Sequence, residues 1–366
     1  MRHDPVVDPR VRRYAELIVE RSLDVQPRWQ VLVVANVPGR PLVEEVCAAI
    51  ARRGAYAIVR LDFGDWRLPV RLAWAREAPD ELLAELPPIE RHAAETADAR
   101  VAIHAPENTR DSADLSAGRQ ALLRKGLVPY FKRTRALEIP FVTCQFPTPA
   151  LAQDASMSTA AFTDFLYGAC LLDWDAEGRR MERISERFDA ADEVRIVGAE
   201  TDLTLSLGGR EGFVDDGHLN LPGGEVFFAP VEDSAEGVVT YSEFPAVYGS
   251  NVVLGARLRF EGGRVVDASA QSGEAFLLAT LDTDDGARRL GELGIGCNPG
   301  ISRHMKNVLF DEKIDGTIHL AVGSSYRFTG GTNESAIHWD MVKDLREGGR
   351  ILCDGDLVQE NGEWVF

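Results

Sequence analysis

The last third of the sequence holds six side chains that are typical ligands of divalent metal ions. They occur in short phrases marked by glycine or by apolar neighbours: Glu225 in LPGGEVF, Glu292 in LGELGIG, Glu312 in FDEK, His319 in TIHLAVG, and His338 and Asp340 in SAIHWD. Carboxylates brought to one place repel one another strongly unless cations lie between them. If the fold gathers these residues, two divalent metal ions are the simplest way to hold them together.

The phrase SAIHWD carries the most specific local signal. In an extended strand, residues i and i+2 point to the same face, so His338 and Asp340 point together while Trp339 points to the opposite face. On a helix the two side chains would diverge. The pattern therefore favours a strand that presents an imidazole and a carboxylate side by side, for metal binding or for catalysis.

The other candidates have ordinary explanations when each is taken alone. His319 lies between Ile318 and Leu320 in an apolar run. A single histidine in such a strand is more often a core residue with satisfied hydrogen bonds than a ligand. A single glutamate such as Glu225 more often lies on a solvated strand face. Both interpretations stay open until the residues are considered together.

The elements that must position these residues divide the chain in two. Apolar β-rich runs at 30–35, 56–61, 99–104 and 140–145 alternate with helical periodicity at 11–22, 42–53, 68–85, 88–96, 112–137, 158–172 and 176–188. Strands that alternate with helices pair in parallel, so residues 1–190 are predicted to form an α/β domain with a parallel sheet of about four strands. The loop after the first strand, NVPGRP, lacks the glycine patterns that bind nucleotide phosphates, which argues against a nucleotide cofactor.

Residues 191–366 have a different pattern. Short β-rich runs separated by glycine turns occur at 192–197, 202–207, 225–228, 237–241, 251–260 and 264–269, with a helix predicted at 276–290. Such runs are typical of a mostly antiparallel sheet. The predicted fold class is therefore an N-terminal α/β domain over 1–190 and a C-terminal α+β domain over 191–366, a mixed or antiparallel β-rich catalytic domain that contains every candidate ligand.

The net charge limits the kinds of partner. The 366 residues include 58 acidic and 40 basic side chains, a formal net charge of −18, so nucleic acid and anionic membranes are repelled. No apolar run approaches the ~20 residues of a membrane span, and the N-terminal residues lack the apolar core of a signal peptide. The five cysteines show no CxxC spacing, which is typical of reduced thiols. We expect a cytoplasmic protein without nucleic-acid or membrane partners.

The order of the phrases resembles that of a known family. Across residues 201–341 the chain reads TDLTLSLGGR, NLPGGEVF, GELGIGCNP, NVLFDEK, IHLAVGSSYRFTGGTNES and IHWDM, and its N-terminal half contains YAELIVERSLDVQP and FKRTRALEIPFVT. Over nearly its whole length the chain is similar to the dimetal metallo-aminopeptidases of the aminopeptidase T, AmpS and PepS type. One phrase alone would be a weak match, whereas six in order are a specific one.

This resemblance implies an activity and a set of site residues. The activity is the removal of N-terminal residues from short peptides with a free N-terminus, by a two-domain subunit in a homodimer that holds two divalent ions such as Zn²⁺, Co²⁺ or Mn²⁺. The residues that correspond to the family's metal ligands are Glu225, Glu292, His319, His338 and Asp340, with Glu312 as a further glutamate near the metals and Tyr326 as a tyrosine beside them.

Roles for three of these residues follow from the chemistry of peptide hydrolysis. Two metals bridged by a carboxylate lower the pKa of bound water towards neutrality. We hypothesise that Glu292 or Glu312 is the general base, which takes the proton of that water and returns it to the leaving amine. Tyr326 would donate a hydrogen bond to the tetrahedral oxyanion.

Two alternative functions are consistent with part of the pattern. A relative of the same fold that holds one iron would be a ring-cleaving dioxygenase of the dihydroxypyridine type, which needs the His338–Asp340 pair and a histidine but not both Glu225 and Glu292. A catalytically inactive relative would be a peptide-binding protein with substitutions among the ligands. The presence of both glutamates in their phrases favours two metals and hydrolysis.

Overall fold

The structure is a computed structural model that describes residues 8–63, 72–249 and 251–366. The chain divides into two compact units. The first comprises Met1–Leu172 and Gly217–Pro222, and the second comprises Asp173–Asp216 and Gly223–Phe366. Within the described ranges, every helix is too short or too polar to cross a membrane.

The helices and strands are numbered in chain order. The helices are α1 Pro9–Glu16, α2 Arg40–Arg52, α3 Leu72–Glu77, α4 Asp80–Leu83, α5 Pro88–Thr96, α6 Ala117–Arg135, α7 Pro149–Asp154, α8 Thr159–Cys170, α9 Trp174–Asp189, α10 Glu274–Leu281 and α11 Val308–Asp311. The strands are β1 Gln30–Asn36, β2 Tyr56–Asp62, β3 Ala99–His104, β4 Phe141–Gln145, β5 Glu193–Gly198, β6 Thr201–Ser206, β7 Phe213–Asp215, β8 Asn220–Leu221, β9 Glu225–Phe228, β10 Glu236–Tyr241, β11 Ala246–Tyr248, β12 Asn251–Val253, β13 Ala256–Glu261, β14 Arg264–Ser269, β15 Leu290–Gly296, β16 Thr317–Gly323, β17 His338–Asp344, β18 Arg350–Cys353, β19 Asp356–Glu360 and β20 Glu363–Trp364.

The first unit is built on a parallel sheet, as predicted. Its five strands lie in the order β2-β1-β3-β4-β8, and each neighbouring pair is parallel. The apolar run of β1 is buried on both faces, which is why it reads as a continuous hydrophobic stretch. The fifth strand, β8, comes from far along the chain and has only two residues, too few to give a pattern in the sequence.

The predicted helices of the first unit are present in the predicted order, and the short helix α7, for which there was no prediction, lies between β4 and α8. A π-helical segment, Leu17–Ser22, continues α1, so the predicted helical stripe over 11–22 is present. Of the predicted helical segment 68–85, residues 68–71 lie outside the described part of the chain, and the remainder forms α3 and α4.

The second unit contains antiparallel sheets, which confirms the predicted mixed fold class. One sheet has eight strands in the order β14-β13-β10-β6-β5-β18-β19-β20, and another has five in the order β17-β16-β15-β9-β7. Strands β11 and β12 form a separate pair. One continuous apolar core contains residues of both larger sheets and of α9, among them Leu203, Leu320, Met341 and Phe188. The five-stranded sheet of the second unit therefore packs one face against this core, and its other face is available for polar side chains.

One helix boundary in this unit differs from expectation. The helix predicted at 276–290 is wrong beyond α10, because Leu290 begins the buried strand β15. After α10 the chain forms a polar segment with a short 3-10 turn at Asp285–Arg288, and Leu290 pairs with Val322 of β16. Helix α9 lies in the second compact unit. The division into domains at about residue 190 stays a prediction.

Candidate metal centre

Four neighbouring strands bring five of the predicted residues to one face of the five-stranded sheet. Glu225 begins β9, Glu292 lies in β15, His319 lies in β16, and His338 and Asp340 lie in β17. The alternation of side chains places the next residues in sequence, such as Trp339 and Met341, in the apolar core on the opposite face. The predicted shared face of His338 and Asp340 is therefore present in the structure.

Small residues between the ligands make room for them. Ala321 of β16 pairs with Glu292 on one side and with Asp340 on the other. Gly294 of β15 pairs with His319, and a Cβ atom at this glycine would lie 1.9 Å from Cε1 of the imidazole. The His319 ring therefore lies across the backbone of β15, and only glycine is compatible with this position.

His319 is oriented by a hydrogen bond on each side of its ring. Nδ1 lies 3.0 Å from the carbonyl oxygen of Glu312, and because a carbonyl only accepts, Nδ1 is the donor there. Nε2 lies 2.9 Å from Oε1 of Glu292 and 3.7 Å from Oε2 of Glu225. The carbonyl contact holds the tautomer in which Nε2 can offer its lone pair to a cation.

His338 repeats this arrangement. Its Nδ1 donates to the carbonyl oxygen of Ser324 at 2.6 Å. Its Nε2 lies 3.4 Å from Oε2 of Glu292 and 3.3 Å from Oδ1 of Asp340. Glu292 is thus placed between two imidazoles, with one carboxylate oxygen towards each.

Glu312 joins the group from outside the sheet. It follows the short helix α11, and its carboxylate, His319 and Asp340 can offer one ligand atom each, with all three atoms within 4.8 Å of one another. Two further sets meet the same criterion: Glu225, Glu292 and His319, and Glu292, His338 and Asp340. The structure therefore brings together all six residues that the sequence singled out as ligands.

Tyr326 lies beside this group, on the loop after β16. Its ring centroid is 5.4 Å from that of His338. The side chain is 40% exposed, in contrast to the buried carboxylates. The tyrosine therefore borders the group of ligands at its accessible side, where a bound molecule can reach it.

Lys313 is a residue of the site that the sequence analysis missed. It is fully buried, and its ammonium group lies 2.9 Å from Oε1 of Glu225 and also contacts the carboxylate of Glu312. Burial disfavours the charged form, but the two carboxylates more than offset this effect and hold the pKa of Lys313 above its ordinary value. Lysines are rarely buried without partners, and nothing in FDEK distinguishes this one from an exposed lysine.

His304 and Asp311 are a second pair that the sequence did not reveal. Nδ1 of His304 accepts from the backbone N–H of Lys306 at 3.2 Å, so Nε2 is the donor to Asp311 at 3.2 Å. The imidazole also stacks on Phe244 with ring centroids 5.0 Å apart. Since Asp311 precedes Glu312 directly, this pair anchors the segment that carries Glu312 and Lys313.

Burial and neighbouring charges hold protons on this group when no metal ion is bound. Burial raises the pKa of Glu225 to about 8, against the opposing effect of Lys313. Although burial disfavours the imidazolium, Glu292 and Glu225 raise the pKa of His319 to about 9. Without a metal ion the site therefore retains protons that a bare surface group would release, and metal binding must displace them.

Two oxygen atoms show where a metal ion fits. Oε2 of Glu225 and Oε2 of Glu292 are buried and have no hydrogen-bond partner within the part of the chain that the structure describes. Unsatisfied buried carboxylate oxygens are costly unless a cation satisfies them. The donors are oxygen and imidazole nitrogen without thiolate, a set that suits a divalent metal ion. The site therefore places the protein in the class of metalloproteins whose divalent ions take part in catalysis.

The comparisons with known proteins agree with this class. The sequence model of the thermophilic metalloprotease family (M29) matches residues 7–364, so the chain belongs to the M29 metalloprotease family. This confirms the resemblance found in the ordered motifs. The fold is similar to that of wild-type AmpT from Thermus thermophilus, with a TM-score of 0.83 and 24% identity over 98% of this chain and 99% of that chain.

Curated relatives are aminopeptidases. Aminopeptidase AmpS of Bacillus subtilis is 34% identical over 51% of this chain and 52% of the relative. Aminopeptidase T of Thermus thermophilus is 36% identical over 52% of this chain and 54% of the relative. The chain thus spans about half the length of these two in the alignments. Aminopeptidase 2 of Geobacillus stearothermophilus is 27% identical over 97% of each chain.

The position of Lys313 generates a prediction about stability. The substitution Lys313→Met keeps most of the volume and removes the charge that offsets Glu225 and Glu312. Because it leaves buried carboxylates unpaired, we expect the free energy of unfolding of the metal-free protein to fall by about 3–5 kcal/mol. Saturating divalent metal should reduce this loss of stability, because the site of the variant is more negative than that of the wild type and binds cations more tightly. Urea unfolding with and without metal measures both values.

Lys343 provides the matched control. It is also fully buried in β17, but its ammonium contacts the carboxylate of Glu243 at 2.8 Å and the carbonyl of Ala199 at 3.0 Å, away from the ligands. Lys343→Met should also destabilise the protein, by an amount that metal does not change. If metal leaves the loss caused by Lys313→Met unchanged as well, Lys313 does not offset the charge of the metal centre.

Proposed function

We propose that this protein is a metal-dependent aminopeptidase that releases N-terminal residues from short peptides. The observation that carries the proposal is the position of Glu292 between the Nε2 atoms of His319 and His338, with unsatisfied carboxylate oxygens beside it. Membership of a metalloprotease family and the aminopeptidases among its relatives support hydrolysis of peptides.

The proposed cofactor is a pair of divalent ions, Zn²⁺, Co²⁺ or Mn²⁺. Glu225, Glu292 and His319 would hold one ion, and Glu292, His338 and Asp340 would hold the other, since each set can converge on one point. Glu292 is common to both sets and would be the shared ligand. When bound, such ions supply Lewis acidity and make hydroxide available near neutral pH.

The carboxylates suit a substrate with a free amine. Although metal ions and Lys313 would offset the summed charge of the four carboxylates, one carboxylate oxygen could still accept a hydrogen bond from the positively charged N-terminus of a peptide. The interior of a protein chain has no such charge. A preference for the first peptide bond then follows from recognition of the α-amine.

Of the two candidate general bases, the geometry favours Glu312. Both oxygens of Glu292 already face imidazoles, which suits a ligand rather than a base. The side chain of Glu312 is 15% exposed, against 5% for Glu225 and 6% for Glu292, so it is the most accessible of the three glutamates. It can take a proton from the attacking water and return it to the leaving amine.

Tyr326 is proposed as a hydrogen-bond donor to the tetrahedral intermediate. Its ring lies against His338, and the residue is 40% exposed at the accessible side of the centre. Burial raises the pKa of the Tyr326 hydroxyl, so it keeps the proton that it would donate to a substrate carbonyl. A neutral donor in this position stabilises the oxyanion more than the planar carbonyl.

A cytoplasmic location is a proposal that rests on the five scattered cysteines, and a homodimer is one that rests on the resemblance to the aminopeptidase T, AmpS and PepS type. Light scattering of the purified protein tests the second of them, since a dimer has twice the 40.2 kDa of one chain. A monomeric mass would contradict the dimer without affecting the proposed activity.

The proposed activity predicts a metal requirement. We expect hydrolysis of aminoacyl-4-nitroanilides to stop after chelation and to return when Zn²⁺, Co²⁺ or Mn²⁺ is added back. Release of 4-nitroaniline measures the rate, and elemental analysis of the active protein measures the number of ions per chain. N-acetylated substrates are the control, because they lack the free amine and should not be cleaved.

Three outcomes separate the alternatives. Hydrolysis with close to two ions per chain supports the proposal. One iron per chain together with cleavage of dihydroxypyridines and no peptidase activity would establish the dioxygenase instead. Absence of hydrolysis with every metal and every substrate would indicate a catalytically inactive relative.

The role of Glu312 predicts a specific kinetic change. Glu312→Gln retains the shape and removes the basic oxygen, so kcat should fall by about 10²–10⁴-fold. Because both triads that contain Glu292 are intact, the number of bound ions should not change. A kcat within a factor of three of the wild type would exclude Glu312 as the base and leave Glu292 as the candidate.

The role of Tyr326 predicts a smaller loss. Tyr326→Phe keeps the ring contact with His338 and removes only the hydroxyl, so kcat should fall by about 10²–10³-fold, as on removal of one oxyanion donor. KM and metal content should change little. Unchanged turnover would remove the hydroxyl from the mechanism.

A further inference from the structure

An aromatic cluster borders the candidate metal centre. Its four members are Phe213 of β7, Phe227 of β9, and Tyr326 and Phe328 of the loop after β16. The ring centroids of Phe213 and Phe227 are 5.3 Å apart, those of Phe213 and Phe328 are 5.1 Å apart, and those of Tyr326 and Phe328 are 5.3 Å apart. Phe227 also lies against Tyr326, so each ring touches at least two others. The four rings therefore form one continuous apolar cluster.

The cluster meets the metal centre at two points. Phe227 is two residues after Glu225 in β9 and so lies on the same face of the sheet as that carboxylate. Tyr326 contacts the ring of His338. An apolar group attached to a molecule that is bound at the centre can therefore reach the cluster without leaving this face.

The outer rings of the cluster are exposed although the inner ring is not. Phe227 is 4% exposed, whereas Phe328 is 36% exposed and Tyr326 is 40% exposed. Large apolar side chains that are exposed together beside a polar site mark a surface that binds a ligand. The rings of Tyr326 and Phe328 are stacked with an interplanar angle of 29°, so they present one surface.

The loop that carries the outer rings is held in place before any ligand binds. The backbone carbonyl of Tyr326 accepts from the hydroxyl of Thr329 at 2.8 Å and from the N–H of Gly331 at 3.3 Å. Thr329, between the exposed residues and the glycines, is itself buried. A surface that is already ordered loses little conformational entropy on binding.

We propose that the aromatic cluster binds the side chain of the first residue of the substrate, so that peptides beginning with an aromatic or branched aliphatic residue are preferred. This rests on the proposed aminopeptidase activity. When the α-amine and the first carbonyl are held at the centre, the side chain of the first residue is the group whose position is fixed beside them. The second residue is attached through the leaving amide and can rotate.

Three dipeptides of equal length test the position of the preference. Phe-Ala, Ala-Ala and Ala-Phe are offered to the enzyme loaded with the metal that supports most activity, and the release of the first amino acid measures kcat/KM. We expect Phe-Ala to exceed Ala-Ala by at least about tenfold, since burial of the phenyl group distinguishes them. Ala-Phe should differ little from Ala-Ala. A preference for phenylalanine at the second position only would overturn the proposal.

A substitution in the cluster tests the surface itself. Phe328→Ala should lower the ratio of kcat/KM for Phe-Ala to that for Ala-Ala by about tenfold. Phe366→Ala is the matched control, since this ring is 45% exposed in the same unit but packs on Arg187 and Trp364. Its ratio should stay at the wild-type value. An unchanged ratio in Phe328→Ala would contradict the proposal.

Further measurements separate the possible failures. Metal content and thermal unfolding show whether Phe328→Ala is folded, and Phe328→Leu, with a smaller apolar group, should have an intermediate ratio. If the wild type cleaves no peptide with any metal, the proposed function fails. If it cleaves peptides at rates that do not depend on the first side chain, only the role of the aromatic cluster fails.

Discussion

The second unit depends on how buried negative charge is offset. Glu225, Glu292, Glu312 and Asp340 lie close together, and an unpaired buried carboxylate costs several kcal/mol. Lys313 offsets part of this charge through Glu225 and Glu312, and the imidazoles face the remaining carboxylates. The unsatisfied oxygens of Glu225 and Glu292 leave a further requirement that a divalent cation meets. Metal binding and folding of this unit are therefore linked.

The two faces of the five-stranded sheet of the second unit have different roles. One face contributes Leu320, Met341 and their neighbours to the core, which fixes the strands relative to one another. The other face carries ligands on adjacent strands, where the rigidity of the sheet sets their separation more precisely than a loop would. A side chain at Gly294 would meet the ring of His319, and the small Ala321 lies between Glu292 and Asp340 on the neighbouring strands. The apolar core thus positions the metal centre.

The sequence could predict the parts of this arrangement that depend on local periodicity. Alternation in β17 places His338 with Asp340, and alternating strands and helices indicate the parallel sheet of the first unit. The parts that depend on contacts between distant residues could not be predicted from the sequence. The predicted helix at 276–290 includes Leu290, whose place in β15 depends on pairing with β16 and not on a local pattern. The ion pair of Lys313 with Glu225 and the contact of Phe213 with Phe328 each link residues that are far apart in the sequence. No local pattern marks these residues as partners.

Tyr326 connects the two proposed functions of the site. Its ring belongs to the aromatic cluster, and its hydroxyl is the proposed donor to the oxyanion. A first side chain that packs on the cluster therefore contacts the same residue that stabilises the intermediate. Binding energy from the side chain can then hold the carbonyl in the orientation that reacts, so selectivity is expressed in kcat as well as in KM. A cluster remote from the donor would change KM alone, and separate kcat and KM values for Phe-Ala and Ala-Ala distinguish the two cases.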